Sequence, residues 1–142
     1  MPVRTAKANW KGLVKKGSGT LSVESGSLKN ANYSFSSRFE SGKGTNPEEL
    51  IGAAHAGCFS MALSLMLGEK GFNPENIETE AKVHIEMEGA NIFISKIELN
   101  TKAKVPKIDK KQFVDIATTA KNNCPVSKAL KGVNIELVAE LM

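Results

Sequence analysis

The stretch Thr45–Gly71, TNPEELIGAAHAGCFSMALSLMLGEKG, is the longest apolar run in the chain and carries a cysteine, Cys58, near its middle. Its two ends are punctuated like a helix. Asn46 is a good N-cap, and Pro47 falls at the first helical position, where its missing N–H costs nothing. Glu49 falls at the third, giving an Asn-x-x-Glu capping box beside the positive end of the helix dipole. Gly71 is the natural left-handed stop. Between these marks a helix of roughly 24 residues would extend about 36 Å, close to the diameter of a compact domain of this size. Such a helix has to be central.

Winding the segment at 100° per residue places apolar side chains on every side. Leu50, Met61 and Leu65 share one face, Ile51 and Ala62 the next, Phe59 and Met66 another, with Leu63 and Leu67 beyond. All-round hydrophobicity predicts burial on all faces. Ala53, Gly57, Ser60 and Ser64 form a strip of small residues along which another helix could approach closely. The run is also long enough to cross a bilayer. Gly52, His55, Gly57, Ser60 and Ser64 interrupt it, however, and no basic cluster or aromatic belt flanks it, so no membrane partner is expected.

The whole chain, 142 residues with 41% hydrophobic and 24% charged content, reads as a single soluble domain over 1–142. Its first residues, MPVRTAKANW, lack the apolar core of a signal peptide, so a cytoplasmic location is expected. Two cysteines in a reducing compartment are more often buried spectators, metal ligands or redox groups than a structural staple. The net charge of +4 comes from scattered lysines not interleaved with aromatics, which fits a solvated surface and not a nucleic-acid footprint.

Upstream of the helix, residues 5–36 read as a meander of short strands, TAKANW, LVKK, TLSVES and YSFS, broken by glycine and serine turns. Arg38–Asn46, RFESGKGTN, reads as a loop leading into the helix. Its GKGT lacks the spacing of a phosphate loop.

Downstream, Ile77, Thr79, Ala81, Val83, Ile85 and Met87 alternate with polar residues, as do Phe93, Ser95, Ile97, Leu99, Thr101, Ala103 and Val105 after the EGAN turn. This predicts an antiparallel hairpin with one apolar face and His84 on the charged one. Asp109 and Gln112 cap a helix with Phe113, Ile116, Ala117 and Ala120 at amphipathic spacing. The helix ends at NNCP. Pro125 then opens a short helix, PVSKALKG, with Cys124 as its N-cap. Alternation from Val133 to Leu141 predicts a closing strand. The order is that of an α+β protein: N-terminal meander, long buried central helix, hairpin, two further helices and a last strand.

Cys58, mid-helix among Phe59, Met61 and Ala62, reads on its own as a small buried hydrophobe. Cys124 faces the unpaired N–H groups of a helix start, which favour a thiolate. The two would meet only if the later helices pack over the central one.

The run RFESGKGTNPEELIGAAHAGCFSMALSLMLGEKGF, with NNCPVSKAL downstream, resembles the OsmC/Ohr family of organic hydroperoxide reductases, and its OsmC branch in particular. The similarity extends from VESG near Ser25 to the closing strand, and both cysteines lie within it. The resemblance implies an intertwined homodimer and a thiol-dependent peroxidase that needs no cofactor, reducing organic hydroperoxides, and hydrogen peroxide less well, in stress defence. It makes Cys58 the peroxidatic thiolate and Cys124 the resolving thiol, with Arg38 and Glu49 as the polar pair around the reacting sulfur. An external dithiol, such as a lipoylated protein in related cases, would restore the thiols. A thiol in an apolar helix ionises reluctantly, so a permanent cation such as the Arg38 guanidinium suits the role. Phe39, Phe59 and Met61 would favour an organic tail.

Glu49 precedes Cys58 by nine residues, about 13.5 Å of rise and half a turn on a straight helix, so the two side chains of one chain point opposite ways. If both serve one site, Glu49 must come from a second copy. A composite-site homodimer is thus expected. Two other classes remain open on the residues alone. Cys58, Cys124, His55 and His84 could form a metal site, although no C-x-x-C is present, or the thiols could be incidental to a stress-induced binding protein.

Overall fold

The computed structural model describes all residues, Met1–Met142. The chain divides into two compact units, Met1–Leu50 and Ile51–Met142. In the first unit, β1 (Ala6–Lys11), β2 (Ser18–Val23) and β3 (Ala31–Tyr33) form an antiparallel sheet in sequence order. Trp10 and Tyr33, on the two outer strands, approach across Gly19 with ring centroids 5.4 Å apart. A Cβ at Gly19 would lie 2.4 Å from Tyr33 and 2.6 Å from Trp10, so the contact depends on glycine.

Two of the expected N-terminal strands are absent. LVKK is the connection between β1 and β2: Gly17 N–H donates to Leu13 C=O at 2.6 Å, and Leu13 and Val14 stand in solvent. YSFS instead splits: Tyr33 closes β3, and Phe35 and Ser36 open a short helix, α1 (Phe35–Phe39). Ser34 and Ser37 cap it reciprocally, Ser37 N–H donating to Ser34 Oγ at 3.1 Å and Ser34 N–H to Ser37 Oγ at 2.8 Å. A serine pair at capping spacing outweighs the strand preference of two aromatics.

The central helix, α2, runs over Pro47–Glu69, 23 residues. Asn46 caps it, its Oδ1 accepting from Glu49 N–H at 2.8 Å. Gly71, at φ +86, ends it, and Phe72 N–H returns to Leu67 C=O at 2.9 Å. It is the one helix long and apolar enough to cross a membrane by length and composition. Burial on all faces does not hold within one chain. Phe59, Leu63 and Leu67 are fully enclosed, whereas Met61 and Leu65 are 77% and 64% exposed. The small strip meets no second helix: Ala53, Gly57 and Ser64 lie open and Ser60 bonds to Thr79 at 2.7 Å.

In the second unit, β4 (Asn76–Glu88) and β5 (Asn91–Lys104) form the expected antiparallel hairpin, and β6 (Asn134–Leu141) lies parallel to β5, giving the order β4-β5-β6. The hairpin contains one irregularity: His84 pairs with Lys96 but Ile85 with Ile94, leaving Ser95 as the extra residue of a bulge. A one-residue insertion reverses the facing of everything beyond it. Ile94, and not the expected Phe93, therefore packs on the core. Helix α3 (Lys110–Asn123), capped by Asp109, contributes Phe113, Ile116, Ala117 and Ala120 to a cluster with Phe59, Leu63 and Leu67 of α2 and Ile97, Leu99 and Ala103 of β5. Helix α4 (Pro125–Ala129) follows at once.

Candidate active site

Cys124 is at once the last cap of α3 and the first of α4. Its N–H donates to Ala120 C=O at 2.9 Å and its C=O accepts from Lys128 N–H at 3.1 Å. Pro125 enforces this break, because it disfavours helix at the residue before it while fitting the first position of the next. The result fixes the Cys124 side chain, 1% exposed, against the core cluster.

It neighbours Cys58, half-buried on α2, closely enough to act on its ionisation, and both remain free thiols. Burial pushes the Cys58 thiol up from its ordinary range, the N–H of Val126 opposes this, and the neighbouring Cys124 thiol pushes it up again. At the start of α4, Ser127 N–H donates to Cys124 Sγ at 3.3 Å, while the Val126 N–H acts to lower the Cys58 thiol.

His55, one turn before Cys58, is completely enclosed, and its Nε2 lies 2.8 Å from Ser127 Oγ. Ser127 Oγ in turn lies 3.1 Å from Cys124 Sγ. Burial lowers the His55 pKa, so the ring is neutral near pH 7. The sequence offers His55 only as an interruption of the apolar run or a candidate metal ligand, and Ser127 not at all. The Cys-x-x-Ser spacing across a helix start was the available signal.

Within the first unit, Arg38 at the end of α1 grips Glu48. Its Nε donates to Oε1 at 3.0 Å and its Nη2 to the same oxygen at 2.8 Å. The guanidinium lies 5.1 Å over the Phe39 ring, and Phe39 stacks on Phe35 at 5.0 Å. Trp10, Val14, Tyr33, Phe35, Arg38 and Phe39 line one recess. Within this chain Arg38 pairs with Glu48 and not with Glu49. Glu49 is exposed and its Oε1 accepts from Thr45 Oγ1 at 2.6 Å, whereas Glu48 is buried. One residue along a helix rotates a side chain by about 100°, which separates the buried carboxylate from the solvent-facing one.

The remaining candidates fall elsewhere. Phe59 belongs to the closed core of the second unit and Met61 stands in solvent. His84 pairs with Glu98 across the hairpin, holding that carboxylate below its usual range. No three His, Cys, Asp or Glu side chains form a group able to hold a metal ion.

Residues 40–138 match the family described as OsmC-like protein. The chain is 54% identical over 128 residues to Peroxiredoxin OsmC of Escherichia coli strain K12, covering 90% of each chain. It is 32% identical over 101 residues to the organic hydroperoxide resistance protein OhrB of Bacillus subtilis, covering 69% of this chain and 70% of the other. Among solved structures, an OsmC-like protein from Mycoplasma pneumoniae superimposes with a TM-score of 0.76 at 14% identity, over 99% of this chain and 98% of that one. The crystal structure of Bacillus subtilis OhrB gives 0.68 at 24% identity, over 97% and 98%.

Proposed function

Because the chain belongs to the OsmC-like protein family, we propose that it is a cysteine-based peroxidase that reduces organic hydroperoxides, and hydrogen peroxide less efficiently, in oxidative and osmotic stress defence. The observation that carries this reading is that two free thiols, Cys58 and Cys124, are neighbours close enough for one to act on the ionisation of the other. The Cys58 thiolate attacks the distal oxygen of ROOH, the O–O bond breaks, and the alkoxide takes up a proton to leave as alcohol. Cys58 becomes a sulfenic acid. Cys124 attacks that sulfur, the S–O bond breaks, and water leaves as the disulfide forms, which protects Cys58 from irreversible oxidation. An external dithiol, for which a lipoylated protein is suited, returns both thiols.

Arg38 supplies the cation that the raised Cys58 thiol needs, and Glu48 holds its guanidinium in place from two nitrogens. The aromatic recess beside Arg38 offers an organic tail an apolar wall. We infer a homodimer of cytoplasmic, single-domain chains in which the Arg38 region of one copy completes the thiol site of the other. The exposed Met61 and Leu65 support this, since an apolar helix face in water calls for a cover.

The test is single-turnover peroxide consumption by Cys58→Ser and Cys124→Ser variants. The first should consume none and the second one equivalent. Loss of that turnover in a folded Cys124→Ser variant would reverse the assignment of the two thiols.

A further inference from the structure

Cys124 is held by more than its own helix cap. Its sulfur faces two groups of Ser127, the N–H at 3.3 Å and the hydroxyl at 3.1 Å, and that hydroxyl faces His55 Nε2 at 2.8 Å. All three side chains are at least nine-tenths buried, His55 wholly so. The other ring nitrogen, Nδ1, is buried with no hydrogen-bond partner. A buried N–H without a partner is rarer and costlier than a buried lone pair without one, and that asymmetry selects the tautomer. The proton sits on Nε2 and the bare lone pair on Nδ1. Nε2–H then donates to Ser127 Oγ, which leaves the Ser127 O–H free to donate only to Cys124 Sγ.

We propose that His55 and Ser127 are positioning residues of the resolving step, a one-way donor chain from His55 Nε2–H through Ser127 O–H that holds Cys124 Sγ as an acceptor aimed at Cys58. The inference rests on the peroxidase reading and deepens it. Two donors on one sulfur hold it in a single orientation. When Cys58 is a sulfenic acid, the Cys124 thiolate attacks the Cys58 sulfur and the S–S bond forms as the S–O bond breaks. The departing hydroxide takes up a proton equivalent to the one Cys124 released, so one thiol and one sulfenic acid give one disulfide and one water. The chain also explains why a histidine is buried on a helix that otherwise presents only apolar or small residues to the core. The titratable groups around the sulfur are Cys58 and His55 on α2. Lys121 of α3, Lys128 at the end of α4 and Lys131 line a recess with Ser127, Lys121 donating to Ile135 C=O.

The experiment is rapid mixing of full-length protein with one equivalent of cumene hydroperoxide. Sulfenic acid is trapped with dimedone and disulfide is followed by mass spectrometry, across pH. In Ser127→Ala, disulfide formation should slow at least tenfold relative to Cys58 oxidation in the same variant, with dimedone adduct accumulating. Ser127→Thr, which keeps the hydroxyl, should recover most of the loss. His55→Gln, whose amide can still donate, should be milder than His55→Phe. Side-chain 15N spectra of the reduced protein should show His55 protonated at Nε2. An unchanged ratio of the two rates in Ser127→Ala, or an Nδ1–H tautomer, overturns the proposal even if a variant folds poorly. A native protein that forms no disulfide overturns the peroxidase reading as well, which separates the two failures.

Discussion

Arg38 binds Glu48, ten positions further along the chain, from both Nε and Nη2, while Glu49, the next residue, turns its carboxylate to Thr45. Adjacent glutamates at the start of one helix thus do different work. The one at the second helical position is buried under a guanidinium. The other has its N–H capped by Asn46 and its carboxylate in solvent.

The two carboxylates should separate in kinetics. Glu48→Gln weakens a charge-assisted pair and loosens the guanidinium, so the rate constant for peroxide reduction should fall by about 10- to 100-fold. Glu49→Gln should change it by less than about twofold. Peroxide consumption by the two variants under identical conditions decides the matter, and equal losses would restore Glu49 to the site.

Burial raises the Cys58 pKa, and the proposed function assigns Arg38 as the cation that offsets this. In Arg38→Met the rate of Cys58 oxidation should keep climbing with pH past the point where the native rate levels off. A variant whose profile overlies the native one would show that Arg38 does not hold the thiolate.

Acid stability follows from His55. Its pKa is lowered in the folded chain, so its contribution is fully present above the unfolded value of about 6.5 and is lost as pH falls through the lower folded value. Denaturant melts from pH 7 to 4 should show a shallower loss for His55→Gln than for the native protein. Parallel curves would mean that other groups govern the acid limb.

Met61 and Leu65 supply a further test, since both are large apolar side chains left open on α2. A Met61→Glu, Leu65→Glu double variant should sediment as a monomer at micromolar concentration and lose peroxide reduction, while the native protein sediments as a dimer. A native monomer with full activity at nanomolar concentration would remove the composite site.

Much of this was legible in the sequence because local rules and burial agreed. Asn46-Pro47 and Gly71 fixed the ends of α2, and Asp109 and Cys124-Pro125 fixed those of α3 and α4. The misses share a cause. Ser34-x-x-Ser37 is a capping pair hidden among strand formers, and Ser95 is a bulge whose single extra residue no alternation count reveals. Glu48 and Glu49 differ by one step of rotation, and which of them Arg38 finds depends on where α1 ends, a tertiary fact. Ser127 escaped notice because its value lies in a histidine 72 positions away.

The central claim is that Cys58 and Cys124 act as one redox pair. It is tested most directly by counting free thiols in the reduced protein before and after one equivalent of cumene hydroperoxide. The account predicts that both thiols disappear together and that a single Cys58–Cys124 disulfide is recovered within the chain. Retention of both thiols, with the hydroperoxide unconsumed, would contradict it.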